Sequence, residues 1–269
     1  VKNILITFSG ARFHDTTKKI VEDGPKHGAA EVIVYDDFWL RQQATHVAET
    51  RHLMYPGNRG VNWFCFKPYV IIDALTRCGP EDVVFYIDGD TYPIRDINIV
   101  FDITRRDGVM LFMANGWPEQ KVWCKRACFV IMGLDTPEYH TAHCGCARFM
   151  GFTRAQLPLL REWLSYCVIK DCTTFEIDPR YGPELPGFRE HRCEQAILSN
   201  LAKKYGHKLY READDSGEII WPDTGASAQA DLAADRDLYP QLFQQVWGGS
   251  YAPGVEPVDR GQGSVFRNA

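Results

Sequence analysis

The run Val83-Val84-Phe85-Tyr86-Ile87, halted at Asp88-Gly89-Asp90, constrains this chain more than any other stretch. A continuous apolar run that short reads as a strand covered on both faces, since a half-wet strand alternates and a buried helix runs longer. Two earlier segments have the same look. Ile4 to Phe8 ends at Ser9-Gly10, and Glu31 to Tyr35 ends at Asp36-Asp37. Between them residues 16–27 are polar with apolar spacers, a helix that Gly24-Pro25 bends or ends. Strand, helix and strand in that order predict a parallel pair joined by a right-handed crossover. The expected class is α/β, with a mixed, mostly parallel sheet flanked by helices.

Further along, residues 43–62 read as a long loop rich in Gly, Asn, His and Arg. Pro68 stands at a first helical position, and Ile71, Ala74, Leu75 and Cys78 recur at helical spacing up to Gly79-Pro80. Val109 to Met113 and Cys128 to Met132 are strand candidates, and Cys144 to Phe149 is a weaker one. Arg154 to Cys167 and Cys193 to Tyr205 pattern as amphipathic helices, with a short strand around Lys208 to Tyr210. From Trp221 onward Gly, Pro, Ala and Asp dominate. The organisation predicted is a single catalytic-size domain over 1–247 and an irregular tail over 248–269, with no internal repeat.

The chain has 269 residues, 45% of them hydrophobic, which is enough for a real core. Lys and Arg number 30 against 35 Asp and Glu, a formal charge of −5, which argues against a nucleic-acid partner. No apolar run approaches the roughly 20 residues of a membrane helix, so no integral membrane segment is expected. The nine cysteines are odd in number and scattered, as reduced thiols are in the cytoplasm. Because the chain starts at Val1, membrane association through a removed segment stays open. Cys124, Cys128, Cys144 and Cys146 can be drawn as a zinc site, but their C-x3-C and C-x-C spacings fit zinc knuckles poorly.

In an open α/β sheet the carboxyl ends of the strands border the ligand crevice. Asp88 and Asp90 arrive there one residue apart, with Gly89 permitting a tight turn. If the chain stays extended, alternation sends both carboxylates to one side. Two hard anionic oxygens together suit Mg²⁺ or Mn²⁺, which complete an octahedron with water and phosphate oxygens. The chemistry served is departure of a nucleotide diphosphate from a sugar. A solvated Asp-Gly turn is the plain alternative.

The sequence also resembles the GT-A-fold glycosyltransferases of the nucleotide-diphospho-sugar transferase superfamily, in a bacterial and viral branch carrying D-x-D. The elements that carry this are Phe66-Lys67-Pro68-Tyr69, Asp88-Gly89-Asp90 and His191-Arg192-Cys193-Glu194-Gln195-Ala196-Ile197-Leu198, supported by Glu162-Trp163-Leu164 and Tyr239-Pro240-Gln241-Leu242-Phe243. It spans roughly residues 3 to 245 and departs at Phe66, where Trp is expected, and at Glu194, one methylene longer than the expected Asp. It implies a GT-A-like, Rossmann-related sheet, a nucleotide-sugar donor and a carbohydrate or glycoconjugate acceptor.

His191, Glu194 and Gln195 are spaced to share a helical face. The resemblance puts Glu194 first among them as the sugar's carboxylate, with Gln195 and His191 as orienting groups; a plain helix first turn explains the same residues. Lys67, at a helix start, is positioned for donor phosphates or is an ordinary surface lysine. Thr7, Phe8, Ser9, Tyr35 and Asp36 end the first two strands, where GT-A folds hold base and ribose and where strand capping is equally natural. Gly145 allows close approach of a sugar or simply makes a turn, and His140 and His143 read as surface residues. Trp117, Trp123 and Arg126 are candidate sugar platforms, while Trp163 reads as core.

The function expected is metal-dependent transfer of a hexosyl or pentosyl group with retention slightly favoured. Two alternatives stand beside it. One is a nucleotide-sugar hydrolase or HAD-like phosphotransferase at the same acids, against which Thr91 follows Asp90 too directly. The other is an inactive nucleotide-sugar-binding module, suggested by Glu194.

Overall fold

The computed structural model describes residues 1–10, 13–54, 60–114, 119–213 and 241–246. Trp117, Trp221, Tyr239-Pro240 and the tail over 248–269 lie outside the described residues. The strands are β1 (Asn3–Ser9), β2 (Glu31–Asp36), β3 (Val83–Asp88), β4 (Thr91–Pro93), β5 (Val109–Met113), β6 (Gly145–Thr153), β7 (Leu209–Arg211) and β8 (Phe243–Gln245). The helices are α1 (His14–Asp23), α2 (Asp37–Arg41), α3 (Ala44–Thr50), α4 (Phe66–Arg77), α5 (Asn98–Asp107), α6 (Gln120–Trp123), α7 (Arg126–Ile131), α8 (Pro137–His140), α9 (Leu157–Cys167), α10 (Lys170–Thr173) and α11 (Cys193–Lys204).

Among the described residues six strands form one sheet in the order β2-β1-β3-β6-β5-β7, and β4 pairs with β8 apart from it. β1 runs parallel to β2, as the strand-helix-strand order predicts, and also to β3, and β7 runs parallel to β5. β6 is antiparallel to β3 and β5. That reversal brings the first residues of β6 to the same edge as the last residues of β1 and β3.

Strand alternation divides the core in two. Ile4, Ile6, Phe8, Val84 and Tyr86 face the layer built from α4, α9 and α11, whereas Leu5, Val83, Phe85 and Ile87 face α1, α5 and Phe243. Helix α9 shows why its face turns inward: Leu159, Leu160, Trp163 and Cys167 recur at helical spacing and are all buried. Helix α4 does the same with Val70, Ile71, Ala74 and Leu75, and Pro68 sits in its first turn where no amide partner is required.

Three expectations are corrected. Cys128 to Met132 belongs to helix α7 and the turn that follows, where the Met132 amide donates to the Cys128 carbonyl at 3.1 Å, a helical rather than strand bond. The loop expected over 43–62 contains α3, whose His46 and Thr50 are buried one helical turn apart. The zinc drawing fails, because Cys124 and Cys128 lie in one core cluster and Cys144 and Cys146 in the other. All nine cysteines are free thiols. No helix among the described residues is long and apolar enough to cross a membrane.

Candidate functional site

Asp88 closes β3 on the face that carries Tyr86 two residues earlier, so the Tyr86 hydroxyl donates to Asp88 Oδ1 at 2.8 Å. The same oxygen lies 2.9 Å from Lys67 Nζ. Lys67 comes from the first turn of α4, is 4% exposed, and reaches Glu194 Oε1 at 3.2 Å and the Ala147 carbonyl at 2.9 Å. Glu194, in the first turn of α11, is also 4% exposed. Three elements distant in sequence thus converge on one ammonium. The Ala147 carbonyl is available because β6 begins at this edge.

After Asp88 the chain turns instead of continuing extended. A Cβ on Gly89 would meet the Phe8 carbonyl at 2.6 Å, so the turn lies directly on the end of β1 and only glycine fits. Asp90 therefore takes different partners from Asp88. Its Oδ1 accepts from Thr91 Oγ1 at 3.0 Å, and its Oδ2 accepts from Gln245 Nε2, also at 3.0 Å. Gln245 pairs with Thr91 across the β4–β8 ladder, and the Val246 amide donates to the Asp90 carbonyl.

Electrostatically the cluster is short of positive charge. Asp88 and Glu194 share the ammonium of Lys67, while Asp90 lies off it and feels instead the Arg148 guanidinium, which also pairs with Glu212 at 3.7 Å. Burial, helped by the Asp88 charge, holds the Asp90 carboxyl above the usual carboxylate range. Burial also raises Glu194, with Lys67 opposing and Asp88 adding to the shift. For Lys67 burial works toward a lower value, but Asp88 and Glu194 together outweigh it and keep the amine firmly protonated. Burial and the Asp88 charge raise the Tyr86 phenol well above its normal range, so it remains a donor.

The remaining expected residues are placed as follows. His191 precedes α11 and does not share its face with Glu194. Its ring is buried between the Lys125 amide, which donates to Nδ1, and the Cys172 carbonyl at 2.8 Å from Nε2. Burial pushes it down to about 4, so it is a neutral structural group at pH 7. Gln195 is half-buried one residue beyond Glu194, with its amide 4.0 Å from Cys144 Sγ. Phe8 stacks on Phe66 at 4.0 Å between ring centroids. Thr7 is buried, with no hydrogen-bond partner for its hydroxyl. Tyr35 is buried and donates to Asp73 Oδ2 at 2.8 Å, and Asp36 caps α2 by accepting from the Trp39 amide.

Gly145 opens β6, and its amide donates to Ser199 Oγ at 2.8 Å. A Cβ there would come within 3.1 Å of that hydroxyl, so the glycine serves helix packing. His140 is less exposed than expected, bonding Asp135 Oδ1 at 2.9 Å. Trp163 is core, as expected, and its indole donates to the Glu194 carbonyl at 2.9 Å, fixing the start of α11. Sequence reasoning missed Tyr86, Ala147, Arg148 and Gln245. Strand alternation could have found Tyr86, which shares a face with Asp88; the others depend on strand pairing that leaves no local signal.

No family model matches the sequence, and no curated protein matches it. Solved structures do match in fold. The WbbM bifunctional glycosyltransferase, in its apo structure, superposes with a TM-score of 0.52 at 9% identity, over 93% of this chain and 46% of that one. The chain therefore spans less than half of WbbM. Mouse xyloside xylosyltransferase 1, also apo, aligns with a TM-score of 0.48 at 12% identity, over 94% of this chain and 100% of that one. The fold is of the GT-A type.

Proposed function

We propose that this chain is a metal-dependent glycosyltransferase, moving a sugar from a nucleotide-diphosphate-sugar donor to a hydroxyl of a saccharide, lipid or protein acceptor. The observation that carries the reading is the charge imbalance at the end of β3: Asp88 and Glu194 on one ammonium and a third carboxylate, Asp90, two residues beyond Asp88, within a fold of the GT-A type. The surplus of two negative charges matches a divalent cation, and the raised Asp90 carboxyl is the sign of a group that such an ion would relieve. Asp88 and Asp90 would hold Mn²⁺ or Mg²⁺, hard cations suited to carboxylate oxygens. Bound there, the ion supplies Lewis-acid stabilisation to the departing diphosphate.

The protein's own groups set the geometry of the reaction. Lys67 and the Tyr86 hydroxyl both fix one oxygen of Asp88, so the carboxylate is oriented before substrate arrives. Glu194, held by Lys67, presents fixed negative charge to a sugar carbon that becomes oxocarbenium-like. Gln195 adds an amide beside it for sugar hydroxyls. Because Glu194 is buried and already engaged, it is poorly placed to collect an acceptor proton, which favours retention over inversion.

The test is a screen of nucleotide sugars with an acceptor panel, with Mn²⁺ or with chelator, on wild type, Asp88→Asn and Asp90→Asn. Wild type should transfer sugar only with metal, and each variant should lose about a hundredfold or more in kcat while retaining its fold. Full activity of both variants in chelator would reject the metal role. Release of free sugar with every acceptor would point instead to a hydrolase.

A further inference from the structure

We infer that Cys128 and Cys172 form a peroxide-sensitive dithiol whose closure into a disulfide acts on the start of α11. This goes beyond the transfer reaction proposed above and does not depend on it. The Cys172 thiol donates to Cys128 Sγ, with the two sulfurs 3.4 Å apart. They come from different helices, α10 and α7, brought together by the packing of the core. A disulfide bond is about 2.0 Å long, which leaves these sulfurs about 1.4 Å to close. A metal is not the natural occupant here. Both nitrogens of His191 are engaged, and no group of three His, Cys, Asp or Glu among the described residues is arranged to hold an ion.

Cys128 is the sulfur prepared to react. Cys124 hydrogen-bonds to it from a second side, and the Asn200 amide lies 3.9 Å away. Burial raises the Cys124 and Cys172 thiols well above their ordinary range, and bonding to Cys128 adds to the shift. Burial works upward on Cys128 too, but the bonds from the two neighbouring thiols outweigh it, so Cys128 ionises first. Both sulfurs are buried, so the oxidant has to be small, and hydrogen peroxide is the one we assign. The Cys128 thiolate attacks one oxygen, the O–O bond breaks, and the departing hydroxide takes up the proton that Cys128 gave. The Cys172 sulfur then attacks the Cys128 sulfenic acid, the S–O bond breaks, and a second water leaves with the Cys172 proton. Two thiols lose two electrons, and one peroxide becomes two waters. The consequence reaches α11 through Cys172. Its carbonyl accepts from His191 Nε2 at 2.8 Å, and His191 stands just ahead of the first turn that presents Glu194.

The experiment treats the full chain with excess hydrogen peroxide, alkylates the remaining thiols in denaturant, and maps the bridges by non-reducing peptide mass spectrometry. Wild type, Cys172→Ser and Cys78→Ser are compared, Cys78 being the half-buried thiol. Wild type and Cys78→Ser should gain a peptide cross-linked between Cys128 and Cys172 that dithiothreitol removes, and Cys172→Ser should not. Amide hydrogen exchange over residues 191–197 should change by about threefold or more on oxidation and revert on reduction. No bridge, or one from Cys128 to Cys124, rejects the pair. A Cys128–Cys172 bridge that leaves exchange over 191–197 as it was rejects the coupling to α11. Should Cys172→Ser fail to fold, the wild-type map and its exchange decide alone.

Discussion

Lys67 shows how much a single residue can organise. An ammonium taken out of water is tolerable here only because two carboxylates and a carbonyl surround it. Lys67→Met removes the ammonium that Asp88 and Glu194 share and leaves the two carboxylates without it. We expect it to cost about 3–5 kcal/mol at pH 7.5, partly recovered at pH 5.5 as Glu194, raised by burial, takes up its proton. Urea unfolding at both pH values checks this, and equal losses at the two would rule out charge as the cause. Asp90 carries the opposite sign. Its raised carboxyl means that the folded chain holds the proton more tightly than the unfolded one, so stability falls as pH climbs through that interval. Asp90→Asn should therefore melt above wild type at pH 8, and the two curves should converge near pH 4. At this scale the sequence was partly legible: Asp88 and Asp90 stand out because a buried strand ends on them. The partners of Lys67 do not, because they are set by where α11 and β6 dock.

Among the elements, the turn after β3 and the entry to α4 do the most positioning. Gly89→Ala would drive a methyl into the backbone oxygen of Phe8, an atom that cannot step aside without opening the β1–β3 pairing. A loss of about 1–3 kcal/mol is expected, measured by chemical denaturation, together with weaker Mn²⁺ binding. A destabilisation that left Mn²⁺ affinity untouched would mean the turn does not set the spacing of the acids. Before α4, Asn62, Trp63 and Phe64 all adopt left-handed backbone angles, with φ of 46°, 57° and 63°. Non-glycine residues resist this region by about 1–2 kcal/mol each. Asn62 is held by the Thr50 hydroxyl at 3.0 Å, and Trp63 packs edge-on against Phe175. The result is a Phe64 ring 5.4 Å from the Lys67 ammonium. No periodicity announces such a turn, which is why the stretch read as loop. Cys128 to Met132 failed differently: periodicity does not separate a short apolar strand from a turn of buried helix, and here the length criterion misled.

For the molecule as a whole, the layered sheet was readable because each strand of the β1–β2–β3 block has its own apolar run and its own terminator. The antiparallel insertion of β6 was not, since strand direction leaves no trace in a run's composition. Stability toward acid is a property of the same scale. Burial pushes His46 and His191 each down to about 4, against an unfolded value near 6.5. As pH falls through that window the unfolded chain gains protons that the folded one refuses, and stability is lost. Neither nitrogen of His46 has a hydrogen-bond partner, so His46→Leu forfeits little at pH 7. It should make the decline in melting temperature between pH 6.5 and pH 4 shallower, and an unchanged decline would clear His46 of the effect. The pairing of β8 with β4 joins two parts of the molecule. Phe243 stacks on Phe85 and Phe149 while its neighbour two positions on reaches Asp90, so one short segment near the end of the chain both seals the hydrophobic interior and completes the polar mouth. The six strands of the principal sheet all precede β8 in sequence, so the Phe243 stack and the Gln245 contact to Asp90 are added to that sheet by a later stretch of chain.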